Sequence, residues 1–352
     1  MDRSRRGAAV GGKMIERGGG RLSHYDLGDV ALQSGQTLRN ARLAYKTYGA
    51  LNAARDNVVV MPTFYGSHHT DTELMMAPGR ALDPERYFIV VPNMFGNGLS
   101  SSPSNTPPPQ DRAAFPRVTL YDNVLCQHRL LTERLGITRV KLVVGFSMGA
   151  QQAFHWGALF PESVESIVAI CGSARTSPHN FVFLEGVKAA LCADSAFMGG
   201  WYDTAPETGI RAFGRVYAGW VYSQDFYRER EHVKMGLATP EDVMRASEAR
   251  YLQRDANDLL AMLWTWQHAD ISTNPKFNGD FSAALAAITP RAIVMPAATD
   301  LYFRVRDNEI EVSQMPRAEL RPIPTIWGHA AGRGLSPVDN AFIDAGLRDA
   351  LQ

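Results

Sequence analysis

The chain has 352 residues, 45% of them apolar and 20% charged, a composition that suits a globular protein with a large core in one or two domains. Lys plus Arg and Asp plus Glu balance at 36 each, so the charge points neither to a nucleic-acid partner nor to an acidic tail. No segment approaches the length of a membrane span, and three widely spaced cysteines form neither a C-x-x-C pair nor a disulfide framework.

Residues 1–22 start basic, are rich in Gly and Arg, and lack the apolar run of a signal peptide. They read as a flexible tail. Cys126, Cys171 and Cys192 lie in apolar stretches, as buried thiols in a reducing compartment do, which makes a cytoplasmic location the expectation.

From about Asp26 to Ser173 strand and helix patterns alternate. Asn57–Met61 and Tyr87–Val91 are short apolar runs bounded by turn formers, as buried parallel strands are. Leu120–Leu135 carries apolar residues at helical spacing and stops at Gly136. Val140–Val144 is a third buried strand, Ala150–Phe160 a helix ended by Pro161, and Val164–Ile170 a fourth strand. Between residues 177 and 285 the texture changes to long helical patterns rich in aromatics. The alternation resumes at Arg291–Met295, continues at Glu319–Ile323 and closes with a helix from Pro337 to Leu351. This order predicts an α/β fold: a mostly parallel central sheet flanked by helices, built from 23–176 and 286–352, with 177–285 inserted as a helical lid. Its active site belongs beyond the carboxyl ends of the strands.

Gly145-Phe-Ser-Met-Gly149 sits where the third strand turns into a helix and fits G-x-S-x-G, the nucleophile elbow. A serine hydroxyl needs a base within hydrogen-bond reach and a carboxylate to orient that base. In elbow proteins these follow in the order Ser, Asp or Glu, His. Of nine histidines, His329 alone lies after the last strand, and Gly328 before it lets the loop bend toward Ser147. Asp300 leaves the carboxyl end of the preceding strand; Asp307 competes but falls within the helix that follows. An oxyanion needs two convergent N–H donors. Met148 supplies one, and the loop Pro62–Gly66 the other, from Phe64 or else Thr63. Tyr65, His68 and His69 crowd the same loop, Tyr65 as a candidate wall of the substrate site. Asn93–Ser100 is glycine-rich but has neither G-x-G-x-x-G nor a Walker lysine, and reads as a turn near the site. His268 and Asp270 lack a third metal ligand nearby. No metal or cofactor is expected.

Several stretches agree in order and spacing with one family: LAYKTYGALNAARDNVVV (43–60), GRALDPERYFIVVPNMFGNGLSSSPS (79–104), YDNVLCQHRLLTERLGI (121–137), VVGFSMGAQQAFHWGALFPE (143–162), ARTSPHNFVFLEGVKAAL (174–191), TDLYF (299–303) and WGHAAG (327–332). The chain resembles the homoserine O-acetyltransferases of the α/β-hydrolase fold, as a divergent hydrolase or esterase member. The resemblance implies Ser147, Asp300 and His329 as a triad, a helical lid, and a homodimer formed through that lid. In the transferases an aspartate follows the catalytic histidine and receives the substrate's amino group, and an arginine grips its carboxylate; here Ala330 and Lys188 stand at those places. Arg175 is a further candidate contact for an anion. The expected function is hydrolysis of a small or medium acyl ester or amide through an acyl-enzyme. The alternatives are O-acyl transfer from acetyl-CoA or another donor, carbon–carbon cleavage beside a carbonyl, and a binding protein with a dead site.

Overall fold

A computed structural model describes residues 21–352. Residues 1–20, most of the expected tail, lie outside the described residues. Eight strands form one sheet in the order β1-β2-β4-β3-β5-β6-β7-β8. They are β1 (Ser23–Ala31), β2 (Thr37–Tyr48), β3 (Val58–Val60), β4 (Phe88–Pro92), β5 (Val140–Phe146), β6 (Val164–Ile170), β7 (Arg291–Met295) and β8 (Ala318–Leu320). From β4 to β8 every pairing is parallel, whereas β1 and β2 add an antiparallel hairpin to one edge.

The parallel strands β3–β7 are mainly apolar because both faces are covered. Val59, Ile89, Leu142, Val144, Val168, Ile170, Ile293 and Met295 point into one core. Their alternating neighbours Val58, Val60, Val143, Ile167, Ala169, Ala292 and Val294 point into the other. A side-chain period of two thus divides each run between two cores.

The hairpin β1–β2 is absent from the sequence reading. β1 is largely exposed and interrupted by register shifts, so its alternation is weak. The visible clue is Ser34-Gly35, where Gly35 has φ +80° and its N–H closes the turn on Leu32 O at 2.9 Å. The expected last strand, Glu319–Ile323, is shorter in the fold. Pro322 has no N–H for a ladder, and only a bridge from Ile323 to Ala297 prolongs the pairing beyond Leu320. Cys126 and Cys171 are buried as expected, but Cys192 is exposed near the end of its helix.

Between β6 and β7 the chain runs through seven α-helices, the longest being Pro178–Cys192 and Glu207–Val221, with Pro240–Tyr251 and Ala256–Gln267 next. Their apolar sides, with Phe183, Tyr217, Tyr251 and Trp266, join the core on one face of the sheet. That face therefore carries an aromatic roof rather than solvent.

The join between β5 and the helix Met148–Leu159 is the tightest point of the fold. Ser147 has φ 58° and ψ −125°, a region costly for a residue with a side chain. A Cβ on Gly145 would lie 2.0 Å from the carbonyl carbon of Gly149, and one on Gly172 would lie 2.5 Å from Ala150 Cβ. Beside this join, Glu311 is fully buried and accepts hydrogen bonds from Ala174 N–H at 2.9 Å and Asn308 Nδ2 at 2.8 Å.

Replacing Gly145 with alanine should lower the unfolding free energy by about 3 kcal/mol, read as a lower urea midpoint at unchanged slope. Burial pushes the Glu311 carboxyl up to about 8, against the pull of its hydrogen bonds with Asn308 and Ala174. Its folded pKa therefore stands above its unfolded value. The stability it contributes is complete below the unfolded pKa and is lost as pH rises toward about 8. Between roughly pH 5 and pH 8 the wild-type melting temperature should fall a few degrees more than that of Glu311→Gln; parallel curves would contradict this.

Candidate active site

Three loops at the carboxyl ends of the parallel strands converge on Ser147. The strained turn after β5 lifts Ser147 to the top of the sheet, and its N–H is fixed to Ile170 O of β6 at 2.9 Å. With Ser147 at the N-cap, the helix Met148–Leu159 begins at once. Among the described residues the Met148 N–H has no acceptor, which leaves one backbone donor at the positive end of a helix dipole.

His329 lies in the 3-10 turn Gly328–Arg333 and Asp300 in the loop after β7. His329 Nδ1 is 2.7 Å from Asp300 Oδ2. The other carboxylate oxygen accepts the N–H groups of Tyr302 and Phe303 at 3.0 and 3.1 Å. This saturates Asp300 and sets its free edge toward the imidazole. Thr299 Oγ1 donates to Thr325 O at 2.9 Å and accepts from Gly328 N–H at 3.1 Å, which ties the loop of Asp300 to the loop of His329. The His329 ring packs between Phe146 and Tyr302, with centroids 4.6 and 4.4 Å away. Gly332 lets this turn approach the elbow, since a Cβ there would meet the Phe146 ring at 2.3 Å. An imidazole held by a carboxylate at Nδ1 has its Nε2 left for a proton.

Ser147 and His329 line one cavity of about 30 Å³, walled by Phe64, Tyr65, Phe146, Tyr217, Val221, Tyr251 and Tyr302 and edged by Arg250 and Arg333. No carboxylate stands among these lining residues. Asp307, the competing acid, lies in the helix Val305–Val312, outside this cavity.

The other sequence candidates separate. Tyr65 lines the cavity, and its hydroxyl donates to Leu259 O at 3.1 Å. Phe64 also lines it, but its N–H is given to Ser67 Oγ at 2.8 Å, and the Thr63 N–H goes to Pro92 O. His68 and His69 bond to Asn97 O and Asn93 Nδ2, and so brace the loop against the Asn93–Ser100 turn rather than facing the serine. Met94 N–H donates to Thr63 Oγ1, which completes that brace.

Lys188 and Arg175 do not come to the site. The helix Pro178–Cys192 turns Phe183, Leu184, Val187 and Leu191 inward, which leaves Lys188 exposed and paired with Glu185 at 3.1 Å. Arg175 lies over the Phe281 ring at 4.0 Å and pairs with Asp270 at 3.6 Å. The cations that do reach the cavity, Arg250 and Arg333, are missing from the sequence reading. Arg333 had one available clue, its position four residues after His329; Arg250 had none, because it arrives from the helical insertion. His268 stacks on Trp264, and among the described residues no three His, Cys, Asp or Glu side chains group as metal ligands.

Residues 56–314 match the family described as the alpha/beta hydrolase fold. The chain is 37% identical over 323 residues to an ethyl acetate hydrolase of Pseudomonas veronii, covering 91% of each. It is 32% identical over 314 residues to a homoserine O-acetyltransferase of Chlorobium chlorochromatii, covering 84% of this chain and 87% of that one. Among solved structures, an acetylester hydrolase from Corynebacterium glutamicum superposes with a TM-score of 0.91 at 34% identity, covering 94% and 96% of the two chains. The chain belongs to the α/β-hydrolase fold family, within the group that contains both acetyl esterases and homoserine O-acetyltransferases.

Proposed function

We propose that this protein is a serine hydrolase that cleaves short acyl esters through an acyl-enzyme. One observation carries the reading: buried Ser147 shares a small aromatic cavity with His329, whose far nitrogen is held by Asp300 from outside it, and no carboxylate lines that cavity to receive an amino group. Ala330, beside the base, is fully buried and offers no polar group. Ethyl acetate hydrolysis, named for one relative, agrees with a site whose walls are mainly aromatic and carry no carboxylate.

In this reading Ser147 Oγ attacks the ester carbonyl as His329 Nε2 takes its proton. Asp300 holds the Nδ1–H and balances the imidazolium without being protonated itself. The Met148 N–H receives the oxyanion, joined by the Phe64 N–H once it exchanges Ser67 Oγ for the stronger, charged acceptor. The imidazolium returns its proton to the leaving alcohol. Water enters, gives a proton to His329 and attacks the acyl carbon, and the carboxylic acid departs as Ser147 is restored. Ground-state carbonyl and oxyanion differ most at the Met148 N–H, so the fixed helix terminus is where binding turns into rate. No cofactor takes part in any step.

Two further features support related proposals. Val182, Met198 and Trp201 are exposed large apolar residues of the helical insertion, as suits a lid that pairs with a second copy. Free thiols and the absence, among the described residues, of any helix long and apolar enough to cross a membrane support a cytoplasmic location.

Ser147→Ala should lower kcat/KM for p-nitrophenyl acetate by about 10³-fold or more, and Asp300→Asn by a similar factor, with melting temperatures near wild type. Activity retained in Ser147→Ala would end the reading. Over p-nitrophenyl acetate, butyrate and octanoate, kcat/KM should fall at least about tenfold from first to last as the chain outgrows the cavity. With acetyl-CoA as donor, added homoserine should not raise the rate of thiol release. A homoserine-dependent rate would favour the transferase instead.

A further inference from the structure

Arg333 ends the same turn that carries His329, four residues further on, and is half-buried. It lines the Ser147 cavity and also a second cavity of about 550 Å³ beneath the helix Pro240–Tyr251. Tyr217, Val221, Arg250 and Tyr251 are walls of both, so the two spaces meet along one side. Among the described residues the Arg333 guanidinium makes neither a hydrogen bond nor an ion pair. Its neighbour Arg250 has one carboxylate partner, Asp71, at 3.5 Å. Asp71 in turn is shared with Arg254 at 3.6 Å and accepts the His68 N–H. Two guanidinium groups therefore share one carboxylate, and Arg333 beside them has none.

A guanidinium taken partly out of water without a partner destabilises the fold unless an anion completes it. Burial and the charge of Arg250 already press on the protonated form of Arg333. The planar fork of arginine matches a carboxylate in a two-bond grip. The rest of the larger cavity is mainly apolar, with Met235, Leu237, Val243 and Leu335 in its walls. Such a space suits a small organic acid with a hydrocarbon body.

We propose that Arg333, supported by Arg250, is a carboxylate-binding site, and that the preferred substrates are short esters bearing a carboxylate that reaches it from the Ser147 cavity. The claim that the bound molecule is cleaved rests on the hydrolase reading above; the anion site itself does not. A carboxylate on the acyl side and one on the alcohol side are chemically equivalent at Arg333, and the test separates them.

Binding is measured by calorimetry on Ser147→Ala protein, which has no nucleophile. Monoethyl succinate carries its charge on the acyl side and O-acetyl-lactate on the alcohol side; diethyl succinate and ethyl O-acetyl-lactate are their neutral counterparts. One charged ester should bind at least about tenfold tighter than its neutral partner, and that preference should weaken with added salt. In Arg333→Met the preference should vanish, and in Arg333→Lys it should survive in part. Equal binding of charged and neutral esters to the Ser147→Ala protein would overturn the proposal before any arginine is changed. So would a preference that persists in Arg333→Met. Hydrolysis of the tighter-binding charged ester by the wild type tests the other reading separately: no hydrolysis there with the charge preference intact sinks the hydrolase and leaves the anion site standing.

Discussion

The strained backbone of Ser147 is the constraint on which the site depends. A residue with a side chain at φ 58° and ψ −125° persists only when its surroundings leave no alternative. Here they leave none: the Ser147 N–H is bound to β6, Gly145 and Gly149 stand two residues away on either side, and Gly172 of the next strand's exit presses against the same turn. The two buried cores on either side of the sheet hold β5 and β6 in register and so sustain the strain. In return the serine hydroxyl and the unpaired Met148 N–H sit a single residue apart at a helix start.

The second requirement of the proposed reaction is a base of fixed orientation, the role proposed for His329. His329 comes from a loop, and loops are mobile unless tied down. The ties are specific: Asp300 at Nδ1, two backbone N–H groups on the far oxygen of Asp300, the Thr299 hydroxyl linking the two loops, and the rings of Phe146 and Tyr302 packed against the imidazole. Each removes one rotation. The result is pre-organisation, in which little has to move when charge develops.

The helical insertion decides what surrounds that chemistry. It roofs the carboxyl ends of the strands with Tyr217 and Tyr251, and brings Arg250 from far along the chain to meet Arg333. The same insertion turns Lys188 to solvent. Esterases and homoserine transferases share this scaffold. The first half of either reaction is the same, so the difference between them belongs to the lining of the cavity rather than to the elbow.

Much of this was legible along the chain. Five of the six parallel strands announced themselves as apolar runs because both faces of each are buried, and the elbow is local, so its glycines and serine lie within five residues of one another in sequence. Chain order then singled out Asp300 and His329, since each leaves the end of a strand or follows the last one. The hairpin β1–β2 escaped because one face of it is exposed and its register shifts blur the alternation. The tertiary structure decided the rest. Whether a side chain such as Lys188 faces the site depends on which side of its helix is buried, and the engagement of the Phe64 N–H with Ser67 depends on how a loop closes on itself. Arg250 and Arg333 meet only because the insertion folds back over the sheet. Periodicity and spacing report contacts along the chain, whereas a cavity is made by residues brought together from 269 positions apart, from Phe64 to Arg333.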